Sequence, residues 1–248
     1  AALVLIAAAV GSVSISPAET FRVLTGGHAL DPGSDFILRE VRLPRIATAA
    51  LVGAALGVAG LQMQTLFRNP LADPYVLGAN SGASLGVALV ALTGGTAGAA
   101  TFAGGLAGWG RAGSVVAAAL GAFVVLGIVL LFAFWVRNAV TLLLIGVMVG
   151  SVTGALVAVM IVYASPDSVQ KFMIWGLGTF AATSWADLAI AGPVIAGGVL
   201  LSLLSIRALN ALLLGEDYAR SMGVDLRVTR TATLLSAALL TGVVTAYC

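Results

Sequence analysis

The sequence predicts an all-α fold, a polytopic bundle of transmembrane helices, and three observations predict it. Hydrophobic residues make up 60% of the chain and charged residues 9%, whereas a soluble domain carries about 25% charged and about 45–50% apolar residues. Uncharged runs long enough to cross a bilayer, which takes about 20 residues, recur between short charged breaks. Glycines repeat at four-residue spacing inside those runs, a pattern that lets helix backbones approach closely in lipid. A chain of this composition cannot cover its surface with polar side chains, so lipid is its solvent.

The charges mark off the elements in order. Residues 1–18 carry no charge before Glu19 and read as part of a first membrane helix, without the basic flank of a signal peptide. Residues 46–67 form an uncharged span. Residues 75–92 form the next, followed to residue 110 by a weakly hydrophobic connection rich in Gly and Thr. Residues 112–136 and 138–163 are two further spans, separated by the polar break Arg137–Asn138. Residues 165–186 are amphipathic, with Lys171, Trp175 and Trp185, aromatic residues of the kind that favour the membrane interface. Residues 188–206 span again with Pro193 inside, 207–230 is the one charge-rich segment, and 231–248 is a final apolar run. That makes seven helices, the first and last incomplete. Lys and Arg fall six to each side of the alternating topology, so the positive-inside rule does not orient it. Among the glycine pairs (Gly53/Gly57, Gly82/Gly86, Gly104/Gly108), the triple Gly146/Gly150/Gly154 is the strongest candidate for a packing seam.

Several function classes are excluded. Twelve scattered basic residues and a net charge of +2 make no phosphate-tracking stripe, so no nucleic-acid partner is expected. The chain has one cysteine, Cys248, and one histidine, His28. His28 with Asp31 and Asp35 nearby is a poor metal cage, and no metal or cofactor site is expected. There is no Ser/His/Asp set, no HExxH and no carboxylate pair inside a span, so no enzyme chemistry is read. Intramembrane acids for a proton relay are missing too. Without GxxxxGK[ST] the chain has no P-loop; if ATP drives it, another subunit holds the nucleotide.

Three segments carry function. In the first, residues 41–86, Arg42 and Arg45 flank Pro44 at the entrance of a span, with the proline near N1 where a helix tolerates it. The two arginines either anchor the helix end at lipid headgroups or form a cationic patch suited to a partner's carboxylates. Gln62 and Gln64 lie inside an apolar helix, where an unpaired amide is costly, so both are expected to face the bundle or a water-filled path. Asn69-Pro70-Leu71-Ala72-Asp73-Pro74 places two prolines four apart and predicts a tight non-helical turn. The following helix opens with Asn80, Ser81 and Ser84, a polar face inside a span, as a pore lining would be. The second segment is LLLIGVMVGSVTGAL at 142–156, and the third is LNALLLGEDYARSMGVDLRVTR at 209–230. There a short charged helix is expected to end at Gly223 with that residue left-handed at C′.

RLPR, a Gly/Ala-rich helix, Q-x-L-F-x-N-P-L-A-D-P and LG-x-x-x-GAS-LG together resemble the FecCD-type permeases of ABC importers for iron–siderophores, haem and cobalamin. The resemblance runs over essentially the whole chain, and the combined motif at 42–86 is its most specific part. It implies a ten-helix fold of which seven helices are present here, and a single permease domain over 1–248 with a cytoplasmic coupling segment at about 209–227. It also implies the orientation: the NPLADP turn and the coupling segment are cytoplasmic, and RLPR faces the periplasm. Arg42 and Arg45 match arginines that meet acidic residues of a periplasmic substrate-binding protein. Asn69 and Leu71 match gate-lining positions, while Ala139 and Val140 stand where the family often has small hydroxyl residues. Gly215, Glu216, Asp217, Ala219, Arg220, Ser221 and Gly223 resemble the segment that docks on the ATPase.

The function so implied is the membrane-spanning permease of a type II ABC importer in the bacterial inner membrane. Its expected partners are two copies of a cytoplasmic ATP-binding subunit, a periplasmic binding protein, a second copy of itself and membrane lipid. Rival readings are an ion-gradient-driven secondary transporter and a non-transporting scaffold.

Overall fold

A computed structural model describes residues 2–11, 13–92, 111–136, 139–181 and 183–247. The expected connection at 93–110, with Gly104 and Gly108, and the break at Arg137–Asn138 lie outside the described residues. The chain divides into two compact units, Ala1–Ala54 with Thr179–Pro193, and Ala55–Gly178 with Val194–Cys248.

In the first unit the uncharged run 1–18 holds α1 (Ala2–Ala9) and the start of α2 (Pro17–Leu24). Pro17 opens α2 at N1, and Ser16 before it stands outside the helical region at φ −58°, ψ 136°. Helix α3 begins much earlier than residue 46 and runs over Pro32–Phe67. Asp31 caps it, accepting a hydrogen bond from Ser34 N at 2.8 Å, and Pro32 takes N1.

Pro44 therefore lies well inside α3, and not near its start. The chain absorbs it with a π-helical stretch over Ile37–Arg42, in which Leu43 N–H donates to Leu38 O. A proline has no N–H to give, and the widened ladder leaves the Arg39 carbonyl without a helical donor. The indole Nε1 of Trp185 fills that place at 2.9 Å. Ala8, Ile15, Val23 and Leu38 form this unit's apolar core.

The second unit holds the end of α3 and α4 (Ala79–Leu92), α5 (Arg111–Trp135), α6 (Ala139–Tyr163) and α7 (Pro166–Gly176). It continues with the C-terminal part of α8 (Trp185–Leu204), then α9 (Ile206–Leu214), α10 (Glu216–Ser221) and α11 (Leu226–Tyr247). The α5, α6, α8 and α11 boundaries fall within a few residues of the uncharged runs. Among the described residues five helices are long and apolar enough to cross a membrane: α3, α5, α6, α8 and α11. Helix α4 is also apolar but has 14 residues. Of the five, α11 is the most enclosed, with 61% of its apolar stretch buried against 22–33% for the others. It packs on α5 and α4.

Glycine sets how closely α4 sits between its neighbours. A Cβ on Gly82 would stand 2.5 Å from Gly121 O, and one on Gly86 would collide with Ala117 O. On the other side, a Cβ on Gly146 would stand 2.6 Å from Val76 O, and one on Gly150 would stand 3.3 Å from Ser81 Oγ. Backbone-to-backbone approach of this kind supplies the dispersion contact that holds helices together where water gives no driving force. Gly154 meets nothing within 4 Å among the described residues, so the seam observed on α6 is Gly146 with Gly150. Gly53 and Gly57 of α3 also meet nothing within 4 Å.

Candidate functional site

The two arginines of the RLPR motif have different surroundings. Arg42 is 7% exposed. Its Nη1 donates to Ala8 O at 2.5 Å and Ala9 O at 3.0 Å, and its Nη2 donates to Val13 O. The last carbonyls of α1 have no helical donor of their own, and a cation at a helix C-terminus also meets the negative end of its dipole. Arg42 thus closes α1 from inside. Arg45 is half-buried and donates to Ala181 O through Nε at 3.2 Å and Nη2 at 2.7 Å. The two therefore do not form one exposed cationic patch.

The amides at Gln62 and Gln64 also part ways. Two residues apart on a helix, they point about 200° from one another. Gln62 is 3% exposed and Gln64 is exposed. Gln62 Oε1 lies 3.2 Å from Ser236 Oγ on α11, and Ser236 Oγ lies 2.9 Å from Gly198 O on α8. Gln62 Nε2 and Thr233 Oγ1, one turn before Ser236, are buried without a partner among the described residues. A hydroxyl has one proton, so it donates to only one of two acceptors. Turning the amide over resolves the conflict: Gln62 N–H donates to Ser236, which donates to Gly198. A Cβ on Gly198 would press to 2.7 Å from Leu240 Cδ2, so the glycine is what lets α11 reach that carbonyl.

The NPLADP turn is built from its own side chains. Helix α3 ends with Arg68 N–H on Thr65 O and Asn69 N–H on Gln64 O, the paired bonds of a Schellman ending. Arg68 holds the left-handed position, φ 47°, a conformation that costs a side-chain-bearing residue of order 1 kcal/mol. Asn69 Oδ1 then accepts from Leu71 N at 3.0 Å, and Asp73 Oδ1 from Tyr75 N at 2.6 Å. Leu71 is left 87% exposed. Beyond the turn Asn80 is exposed, and Ser81 and Ser84 are half-buried. On α6 Val140 is 60% exposed; the side chain of Ala139 lies outside those described.

The charge-rich segment folds as two short helices. Gly215, φ 129°, separates α9 from α10. Helix α10 ends in a second Schellman motif: Gly223 N–H donates to Arg220 O and Val224 N–H to Ala219 O, both at 3.0 Å. Gly223 has φ 79° with open space around it, the conformation its position in the sequence requires. Ala219 is fully buried, so this residue faces inward, while Asp217, Arg220 and Ser221 are exposed. Arg220 lies 3.8 Å from both Glu216 and Asp217, a loose exposed arrangement of little energetic worth. Arg230 of α11 holds Glu216 at 2.5 Å.

Arg230, Ser236, Thr233 and Gly198 escaped the sequence reading. Thr233 and Ser236, three apart in an apolar run, were a legible signal; the pairing of Glu216 with a residue fourteen positions on was not.

The FecCD transport family model matches residues 1–248. The hemin transport system permease of Yersinia pestis is 33% identical over 242 residues, covering 97% of this chain and 70% of that protein. A cobalamin import system permease of Halobacterium salinarum is 33% identical over 216 residues, 85% of this chain and 54% of that protein. A solved structure described as an inward-facing metal-chelate type ABC transporter superposes with TM-score 0.79 and 28% identity, over 98% of this chain and 71% of that one.

Proposed function

The chain belongs to the FecCD transport family, and from that premise we propose that it moves a metal chelate or corrinoid through the membrane under power from a separate ATPase. It is a multi-pass membrane permease of that family. The observation that carries the reading is the family match over the full 248 residues. The geometry of α10 supports it: a capped, charged knob with Asp217 and Arg220 exposed suits a protein partner.

In this reading two copies of the permease enclose one path, two ATP-binding subunits bind at α10, and a substrate-binding protein delivers cargo near Arg45. Arg45 has the half-exposed guanidinium, whereas that of Arg42 is spent on three carbonyls. Asn69, Leu71, Asn80, Ser81, Ser84 and Gln64, with Ala139 and Val140, line or gate the path. The chain performs no covalent step. Partner binding biases an equilibrium between inward- and outward-open arrangements, by as much as the partners' affinities for the two differ. The substrate class is iron–siderophore, haem or cobalamin; hemin and cobalamin are named for the relatives, and a metal chelate for the structural neighbour.

Reconstitution of the intact permease with its ATPase and binding protein in liposomes tests this. Uptake of a ferric siderophore, haemin or cobalamin is expected only with ATP. Uptake driven by a proton or sodium gradient without ATP would overturn it in favour of a secondary transporter. Arg45→Glu is expected to weaken binding-protein association, most strongly at low salt; unchanged affinity there would remove Arg45 from the docking surface.

A further inference from the structure

We infer that Arg230 is a positioning residue that joins α10 to α11, so that the coupling knob and the most enclosed membrane helix move as one rigid lever. The inference rests on the proposed role of α10 as the ATPase-facing element.

Three observations carry it. First, α10 has six residues, too few to hold a helix on their own, so its orientation must come from what it is fastened to. Second, the fastening is asymmetric. Of the two arginines near Glu216, Arg220 is 63% exposed and 3.8 Å away, whereas Arg230 is 15% exposed with its Nη2 at 2.5 Å. A short pair whose arginine is shielded from water, even with Glu216 39% exposed, holds geometry in a way that a loose exposed one does not. It also leaves Arg220 and the fully exposed Asp217 for a partner.

Third, the turn between the helices is itself rigid. The Schellman bonds close α10. Asp225 then caps α11, its Oδ1 accepting from Arg227 N at 2.8 Å and Val228 N at 3.1 Å. Ala219, with no exposed surface, seats the underside of α10. With both ends of the turn capped and Arg230 bridging across it, α10 has no soft joint to α11. Two turns further along α11, Ser236 meets Gln62 and Gly198. A push on α10 therefore reaches the point where α11 is hydrogen-bonded to two other helices.

The test uses the intact permease assembled with its ATPase and binding protein in liposomes, in a background cleared of native cysteines, Cys248→Ser included. Arg230→Gln is expected to leave ATPase co-purification and basal hydrolysis in place while transport per ATP falls about tenfold, the scale of a typical coupling free energy. Glu216→Cys with Arg230→Cys is expected to be equally uncoupled, and a short bis-thiol cross-linker between the two cysteines to restore coupling, reversed by reductant. Cross-linking that arrests transport, or fails to restore it, overturns the rigid lever, as does an Arg230→Gln permease with unchanged transport per ATP. If the unsubstituted permease binds no ATPase through α10, so that Asp217→Arg leaves co-purification intact, the reading of α10 fails instead. The two failures are distinguishable.

Discussion

The guanidinium of Arg42 stands where a side chain at Gly11 would stand: a Cβ on Gly11 would lie 2.6 Å from Arg42 Nη2 and 2.9 Å from its Cζ. Gly11 is therefore the space in which Arg42 reaches the end of α1. Gly11→Ala is expected to displace the guanidinium and strand the carbonyls of Ala8, Ala9 and Val13, costing about 1–3 kcal/mol. Arg42→Lys should destabilise by a similar amount, because a single ammonium does not reproduce the planar fork. Thermal unfolding in detergent checks both; a Gly11→Ala protein as stable as the parent would show that the clamp contributes nothing.

The glycine seam around α4 separates packing glycines from bystanders. Gly82→Ala and Gly121→Ala each put a methyl group onto a carbonyl oxygen of the facing helix, an overpacking expected to cost about 1–3 kcal/mol. Gly154→Ala and Gly57→Ala meet no atom within 4 Å, and alanine's better helix propensity should leave them neutral or stabilised by up to about 1 kcal/mol. Melting temperatures of the four variants should fall into those two groups.

The polar clamp at Gln62 and Ser236 predicts non-additivity. Ser236→Ala leaves the buried Gln62 amide without its partner and should cost about 1–3 kcal/mol. Gln62→Met together with Ser236→Ala removes both polar groups, and should be less damaging than the sum of the single changes. A double-mutant cycle with strictly additive terms would mean the two side chains are not coupled.

Asp31 predicts a pH dependence at the start of α3. The Ser34 backbone N–H, then the Ser34 hydroxyl and the Gly33 backbone N–H, hold the Asp31 carboxyl below its ordinary value of 3.8. A folded-state value depressed in this way contributes stability that is complete above 3.8 and is lost as pH falls through the lower folded value. Hydrogen-exchange protection of the Ser34 amide should decline in that acid window. In Asp31→Asn, whose side chain still accepts but does not titrate, that decline should be absent.

The membrane class was legible because it needs only composition and spacing. A bilayer forces backbone hydrogen bonds inside the segment, so an uncharged run such as 139–163 can only be a helix. The same local logic found the ending at Gly223 and the tight turn after Asn69, where the deciding forces act between near neighbours. It failed at Pro44, because whether a proline starts a helix or is absorbed inside one depends on Asp31 and Pro32 upstream and on Trp185 supplying a donor to Arg39. Over 1–18 it did not place the end of α1 at Ala9 or the start of α2 at Pro17.

What the sequence by itself determined was an α-helical membrane protein, the bounds of α5, α6, α8 and α11 to within a few residues, and through the motif at 42–86 the family. Only the tertiary structure decided that Arg42 turns inward to three carbonyls while Arg45 stays half-exposed, and that Glu216 answers to Arg230 more than to Arg220. Spacing along a helix says which residues share a face, but which of them finds a partner depends on atoms brought from tens of residues away. For Arg42 those atoms are the carbonyls of Ala8, Ala9 and Val13, and the room left by Gly11.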